Sequence, residues 1–140
     1  MLKKTAKQLV DEATAQVRTL DLTEARARHA SGDSLFVDLR DVRELEREGL
    51  IPGAVHAPRG MLEFWVDPTS PYFHKAFESG KPMVLFCAAG WRSALAAKTL
   101  LEMGFADVSH VGGGFTAWKE AGAPVADKPP PKPKASAVDG

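Results

Sequence analysis

Apolar residues in this chain fall into short runs separated by polar, helix-forming stretches. Leu35–Leu39, Ala54–Ala57 and Met83–Phe86 are mostly apolar, Val108–Val111 is apolar at both ends, and all four are of strand length. Runs of this kind fit strands buried on both faces. The stretches between them read as helices. Leu22 to His29 form one, with Thr23 as its N-cap. Val42–Glu48 form a short second one, closed by Gly49. Ser93–Met103 are rich in Ala, Leu, Lys and Glu, with Leu95, Leu100 and Met103 apolar. Gly113–Ala121 start the last helix, which stops at Gly122 and Pro124. Near the amino end, Thr5–Val17 predict a further helix with Leu9, Ala13 and Val17 on one face; Val17–Leu20 alternatively open a short strand. Alternating strands and helices predict an α/β fold: a central parallel sheet of about five strands with helices on both faces. In such sheets the ligand site lies beyond the carboxyl ends of the strands.

Two segments stand outside that rhythm. Residues 59–80 are aromatic-rich and broken by Pro68 and Pro71. They read mainly as a covering helix and loop packed on the sheet, and alternatively as a wall of the site or a partner surface. From Ala126 onward the chain is rich in Pro and Lys and has too few apolar residues to build a core. The expected organisation is a helical extension over 1–20, one domain over 21–125 and a disordered tail over 126–140.

Composition narrows the function classes. A chain of 140 residues supports one domain with a single core. Its formal net charge is zero, so no general attraction to nucleic acid or to an anionic membrane is expected. The basic start, Met1-Leu-Lys-Lys, meets Asp11 and Glu12 before any apolar run develops and does not read as a signal peptide. A single cysteine precludes an internal disulfide and suits a reducing, cytoplasmic setting. The four histidines, His29, His56, His74 and His110, share no ligand spacing, so no metal site is expected. Each reads as a surface or capped histidine. Gly112-Gly-Gly lacks the later glycine of a dinucleotide fingerprint and reads as a tight turn with close backbone approach.

The lone cysteine, Cys87, follows the run Met83–Phe86 and precedes Ala88-Ala-Gly-Trp-Arg-Ser. It therefore sits at the carboxyl end of a strand and beside a helix N-terminus. That end carries unpaired N–H groups and partial positive charge, which stabilise an anion. A thiolate there is a nucleophile at neutral pH. The commoner fate of a lone cysteine is a small core side chain. The stripped Ala-Ala-Gly loop, which lets N–H groups turn inward, and the fixed charge of Arg92 weigh against it.

The loop resembles the active-site loop of the rhodanese family of sulfurtransferases. Two further stretches carry the resemblance. One is Leu35-Phe-Val-Asp-Leu-Arg-Asp-Val-Arg-Glu-Leu followed by Gly49-Leu-Ile-Pro-Gly-Ala-Val-His-Ala-Pro; the other is Val111-Gly-Gly-Gly-Phe-Thr-Ala-Trp. Together they cover about residues 20 to 125. The resemblance implies a rhodanese-like domain in which Cys87 takes sulfur from a small donor, thiosulfate or a persulfide, and passes it to cyanide, a thiol or a thiol-carrying protein. Backbone N–H groups of Ala88, Ala89, Gly90, Trp91, Arg92 and Ser93 would hold the transferred sulfur. Asp38 is expected to bond loop backbone, and Arg40 to pair with a nearby carboxylate; Arg59 is a further basic candidate. No cofactor is required.

Two other readings share the resemblance. Phosphatases and arsenate reductases of related fold carry Cys-x5-Arg, whereas Cys87 and Arg92 are spaced Cys-x4-Arg. The tighter ring suits one sulfur atom better than a tetrahedral oxyanion. A non-catalytic regulatory or redox-sensing module is the other reading; inactive family members usually lose the cysteine. Many thiosulfate-preferring relatives also carry a charged residue where this chain has Ala88.

Overall fold

The structure is a computed structural model that describes residues 1–130. Five parallel strands form its sheet: β1 (Arg18–Leu20), β2 (Leu35–Asp38), β3 (Val55–His56), β4 (Met83–Phe86) and β5 (Val108–Val111), in the order β1-β5-β4-β2-β3. The α-helices are α1 (Ala6–Gln16), α2 (Leu22–Ser31), α3 (Val42–Glu48), α4 (Leu62–Val66), α5 (Trp91–Glu102) and α6 (Gly114–Glu120). This is the α/β architecture that the alternating pattern predicts.

The central strand β4 is buried along its whole length and pairs with β2 and β5. Alternate residues feed two cores. Met83 and Leu85 join Leu62 and Val66 of α4 and Ala96, Ala97 and Leu100 of α5. Val84 and Phe86 join Ala25 of α2 and Phe115 and Trp118 of α6. Helices thus cover both faces, and Cys87 leaves β4 toward the α5 side.

Several boundaries move for identifiable reasons. Asp21, not Thr23, caps α2, because its carboxylate accepts the Glu24 N–H at 2.8 Å. In α1 the buried face is Val10 and Ala13, with Leu9 exposed, because the helix packs on α5 through Ala94. Thr5 caps α1 in a reciprocal box with Gln8. After Gln16 the chain straightens, and β1 pairs with β5 as an edge strand. Strand β3 shortens to two residues.

Residues 59–80 split their aromatics. Leu62 and Val66 are buried, Trp65 and Phe77 pack on the core, and Phe64 and Tyr72 are exposed with their rings edge-to-face at 6.4 Å. The segment is largely the covering layer that its composition suggests. Ala126, placed in the tail by the sequence reading, exchanges two backbone hydrogen bonds with Leu50, at 2.8 and 2.9 Å. Residues 131–140 of that tail lie outside the described residues. No helix among the described residues is long and apolar enough to cross a membrane.

Candidate active site

Cys87 sits where β4 gives way to α5, and its side chain is 1% exposed. The loop turns back on it through Gly90, whose φ of 114° belongs to the left-handed region that favours glycine. That turn aims the Gly90 N–H at the Cys87 sulfur, 3.2 Å away. Of the six loop residues singled out from sequence, Gly90 therefore donates directly to the thiol. The N–H groups of Trp91, Arg92 and Ser93 open α5, where no carbonyl four residues back is available within the helix. Ala88 is half-buried, Ala89 exposed, and the Trp91 ring projects outward at 53% exposure.

The outer side of the loop is fixed by the start of α6. Phe115 N–H donates to the Cys87 carbonyl at 2.8 Å, and Thr116 N–H to that of Ala88 at 3.0 Å. Gly114 makes this approach possible. A Cβ there would lie 2.5 Å from the Cys87 carbonyl oxygen and 2.6 Å from that of Ala88. The glycine run thus performs the close approach expected of it. Tying the carbonyls outward leaves the opposite peptide edge free to face the sulfur.

Arg92 meets Glu44 of α3 fork to fork, Nη1 to Oε1 at 2.7 Å and Nη2 to Oε2 at 3.0 Å. The hydrogen bonds from Arg92 pull the Glu44 carboxyl down to about 2, against the opposing effect of its burial. Arg92 holds its proton more tightly than usual, first through Glu44, with attraction to Cys87 adding to it. Glu44 is a site residue that the sequence reading missed; its only signal was its place three residues after the capping Asp41.

Asp38 does not bond the loop backbone as expected. Arg40 takes both of its oxygens: Oδ1 accepts from Arg40 N and Nε, each at 3.0 Å, and Oδ2 from Nη2 at 2.8 Å. The chain bends just after β2, so Arg40 folds back on the carboxylate two residues earlier. Arg40 does pair with a carboxylate, and it also donates to the Gly49 carbonyl at 2.9 Å and lies 4.0 Å from the Phe115 ring centre. Both partners are buried. The pair braces β2, the turn after α3 and the base of α6. The Arg59 guanidinium is engaged by Glu63 at 2.7 Å, one turn along its own segment.

The histidines separate. His74 caps the short 3-10 helix Lys75–Ser79, His56 bonds the Arg40 carbonyl at 2.7 Å, and His29 bonds the Pro52 carbonyl at 2.8 Å. His110 is neither a surface nor a capping residue: it is buried on β5, with Nδ1 2.9 Å from Ser93 Oγ. On β5 its side chain shares the α5 side of the sheet with Val108. Among the described residues no group of three or more His, Cys, Asp or Glu side chains is placed to hold a metal ion.

Beside the loop lies an open cavity of about 480 Å³, lined among others by Arg40, Glu44, Ala88, Phe115 and Lys119. A smaller one of about 230 Å³ opens at the opposite end of the sheet, around Leu35, Met83, Phe105 and Asp107, far from the thiol.

A lone cysteine in a glycine-turned loop, at the carboxyl end of the middle strand of a parallel five-stranded sheet, defines an α/β domain with a candidate thiol nucleophile. The chain belongs to the rhodanese-like family: the Rhodanese-like domain matches residues 21–121. It is 48% identical to a Rhodopseudomonas palustris protein of unknown function described as a possible tyrosine phosphatase, with a TM-score of 0.86 over 90% of this chain and 97% of that one. It is 33% identical to the homodimeric polysulfide-sulfur transferase of Wolinella succinogenes, with a TM-score of 0.70 over 87% of each chain. Mouse thiosulfate sulfurtransferase/rhodanese-like domain-containing protein 3 is 29% identical over 93 residues, which span 63% of this chain and 59% of that protein. The Wolinella and mouse proteins bear sulfurtransferase names, and the family match is to the rhodanese-like domain.

Proposed function

We propose that this protein is a sulfurtransferase in which Cys87 carries sulfane sulfur as a persulfide. The observation that carries the reading is the Gly90 N–H aimed at the Cys87 sulfur from within a loop of Cys-x4-Arg length. The thiolate attacks the outer sulfur of thiosulfate or of a persulfide. A new S–S bond forms, the old one breaks, and sulfite or a thiolate leaves with the electron pair. The terminal sulfur of the Cys87 persulfide is anionic, and the N–H groups of Ala88 to Ser93 hold it. Cyanide, a small thiol or a protein thiol then removes that sulfur, and the Cys87 thiolate returns.

Ala88 stands where many thiosulfate-preferring relatives carry a charged residue, which favours a persulfide or polysulfide donor over thiosulfate. Similarity to the Wolinella polysulfide-sulfur transferase agrees with that preference. No general base is needed to activate the donor, and no cofactor enters the scheme.

A second reading, phosphatase, has the Rhodopseudomonas relative in its favour. Loop length and the Arg92–Glu44 pair oppose it, because an arginine held by a carboxylate through both terminal nitrogens is not free to grip a phosphate. The test is parallel turnover: sulfur transfer from a polysulfide to cyanide, and hydrolysis of a small aryl phosphate, in wild type and Cys87→Ser. The sulfurtransferase reading predicts the first activity only, lost in the variant. Aryl phosphate turnover without sulfur transfer reverses the order of the two readings.

A further inference from the structure

The Cys87 residue is 1% exposed, so little of the thiol meets water in the resting fold. It is nevertheless connected. Cys87 Sγ lies 3.6 Å from Ser93 Oγ, Ser93 Oγ lies 2.9 Å from His110 Nδ1, and His110 Nε2 lies 3.0 Å from Thr19 Oγ1. Ser93 and His110 are buried, whereas Thr19 is exposed on the edge strand β1. The four side chains come from the loop just after β4, from α5, from β5 and from β1, and form one line of hydrogen bonds from the sulfur to the sheet edge.

We propose that Ser93 and His110 relay the proton of the Cys87 thiol to Thr19 at the sheet edge, where water takes it. The S–H bond breaks and leaves its electron pair on sulfur. Its proton passes to Ser93 Oγ as Ser93 gives its own proton to His110 Nδ1. His110 releases the proton on Nε2 through the Thr19 hydroxyl to water. The ring ends neutral, as the Nδ1–H tautomer in place of the Nε2–H tautomer. Ser93 then donates to the thiolate and accepts from His110, so the exit path also stabilises its product. No oxidant or reductant takes part.

The surroundings suit transfer rather than storage of the proton. Burial holds the His110 ring below its ordinary value of 6.5, which favours the neutral ring and onward passage. The polar groups against it are the hydroxyls of Ser93 on α5 and Thr19 on β1. Charged side chains on the neighbouring elements are engaged elsewhere: Arg18 with Glu24 at the strand edge, at 3.1 Å, and Arg92 with Glu44 beyond the sulfur. Helix α1 contributes apolar Val10 and Ala13 against Ala94 of α5.

The relay rests on the reading of Cys87 as a nucleophile. Iodoacetamide alkylates a thiolate without any sulfur donor and so separates the two. The experiment follows the pH profile of Cys87 alkylation in wild type, Ser93→Ala, Ser93→Thr and His110→Gln. Alongside it, ring ¹⁵N NMR of His110 is recorded on the full wild-type chain. The relay predicts that His110 changes from Nε2–H to Nδ1–H at the midpoint of the alkylation profile. Loss of the Ser93 hydrogen bond to the thiolate slows alkylation of Ser93→Ala at neutral pH by about ten- to hundredfold, with the profile moved to higher pH; His110→Gln keeps that hydroxyl but removes the acceptor behind it, and moves the profile the same way by less. Ser93→Thr, which keeps the hydroxyl, lies closer to the wild-type profile than Ser93→Ala does. A single His110 tautomer across the midpoint overturns the relay, as do wild-type profiles in both impaired variants. If wild type alkylates and transfers sulfur under either of those outcomes, the sulfurtransferase reading stands without the relay. A wild type unreactive toward iodoacetamide removes both. Should a variant fail to fold, the wild-type tautomer measurement decides alone.

Discussion

Glu44 grips Arg92 with both carboxylate oxygens and, through the same Oε1, closes the cap of α3 on the Asp41 N–H at 3.0 Å. One side chain therefore fixes a helix start and the only basic residue of the cysteine loop. Glu44→Gln keeps the shape and part of the hydrogen bonding but loses the charge. It is expected to reduce sulfur transfer several-fold, because Arg92 is no longer held at the loop rim, and to cost about 1–2 kcal/mol of stability once solvent screening is allowed for. Chemical denaturation and steady-state rates of the variant check both.

The same pair sets an acid limit. The Glu44 carboxyl sits at about 2 in the fold against an ordinary 4.5, so its contribution is full above pH 4.5 and is lost as pH falls from there toward about 2. His110 adds a separate loss. Its ring is held below its ordinary 6.5, so the unfolded chain takes up that proton first and stability declines as pH falls below 6.5. Melting temperatures across pH should show both windows in wild type. The upper one should disappear in His110→Gln and the lower one should shrink in Glu44→Gln.

Asp38 and Arg40 form a buried pair with little tolerance for losing one member. Asp38→Ala leaves the Arg40 guanidinium buried without its carboxylate, and a destabilisation of about 3–5 kcal/mol is expected. Replacing both with apolar residues should restore much of the stability, while sulfur transfer stays low because the base of α6 loses its brace. Urea midpoints of the single and double variants distinguish these outcomes.

Gly114→Ala tests how the loop is held. The added Cβ meets two carbonyl oxygens of the loop, and the φ of 59° disfavours any side chain. We expect a loss of about 1–3 kcal/mol from the backbone conformation alone, together with near-complete loss of sulfur transfer as Cys87 and Ala88 are pushed off the α6 amides. Wild-type activity in this variant would contradict the role given to those amides.

Much of the fold is legible in the chain because turn residues bound its strands. Pro82 precedes Met83–Phe86 and Gly112 follows Val108–Val111, so both runs fall where they are expected. Helix ends are less legible, since Asp21 and Thr23 are both good caps and only the observed hydrogen bond separates them. The loop around Cys87 is legible because its residues are contiguous. The groups that support it are not: Glu44 lies 48 residues from Arg92, His110 lies 17 from Ser93, and Thr19 lies 91 from His110. One local signal for His110 existed. It occupies a strand that is buried on both faces, where an imidazole requires a polar partner. Which partner it meets depends on how α5 lies across β5, and that emerges only in three dimensions.

The most direct test of the account is intact mass spectrometry of the protein after incubation with inorganic polysulfide, and separately with thiosulfate. With polysulfide the protein is expected to gain one sulfur atom, mapped to Cys87, removed by cyanide and absent from Cys87→Ser. A wild type that stays at its unmodified mass with both donors contradicts it.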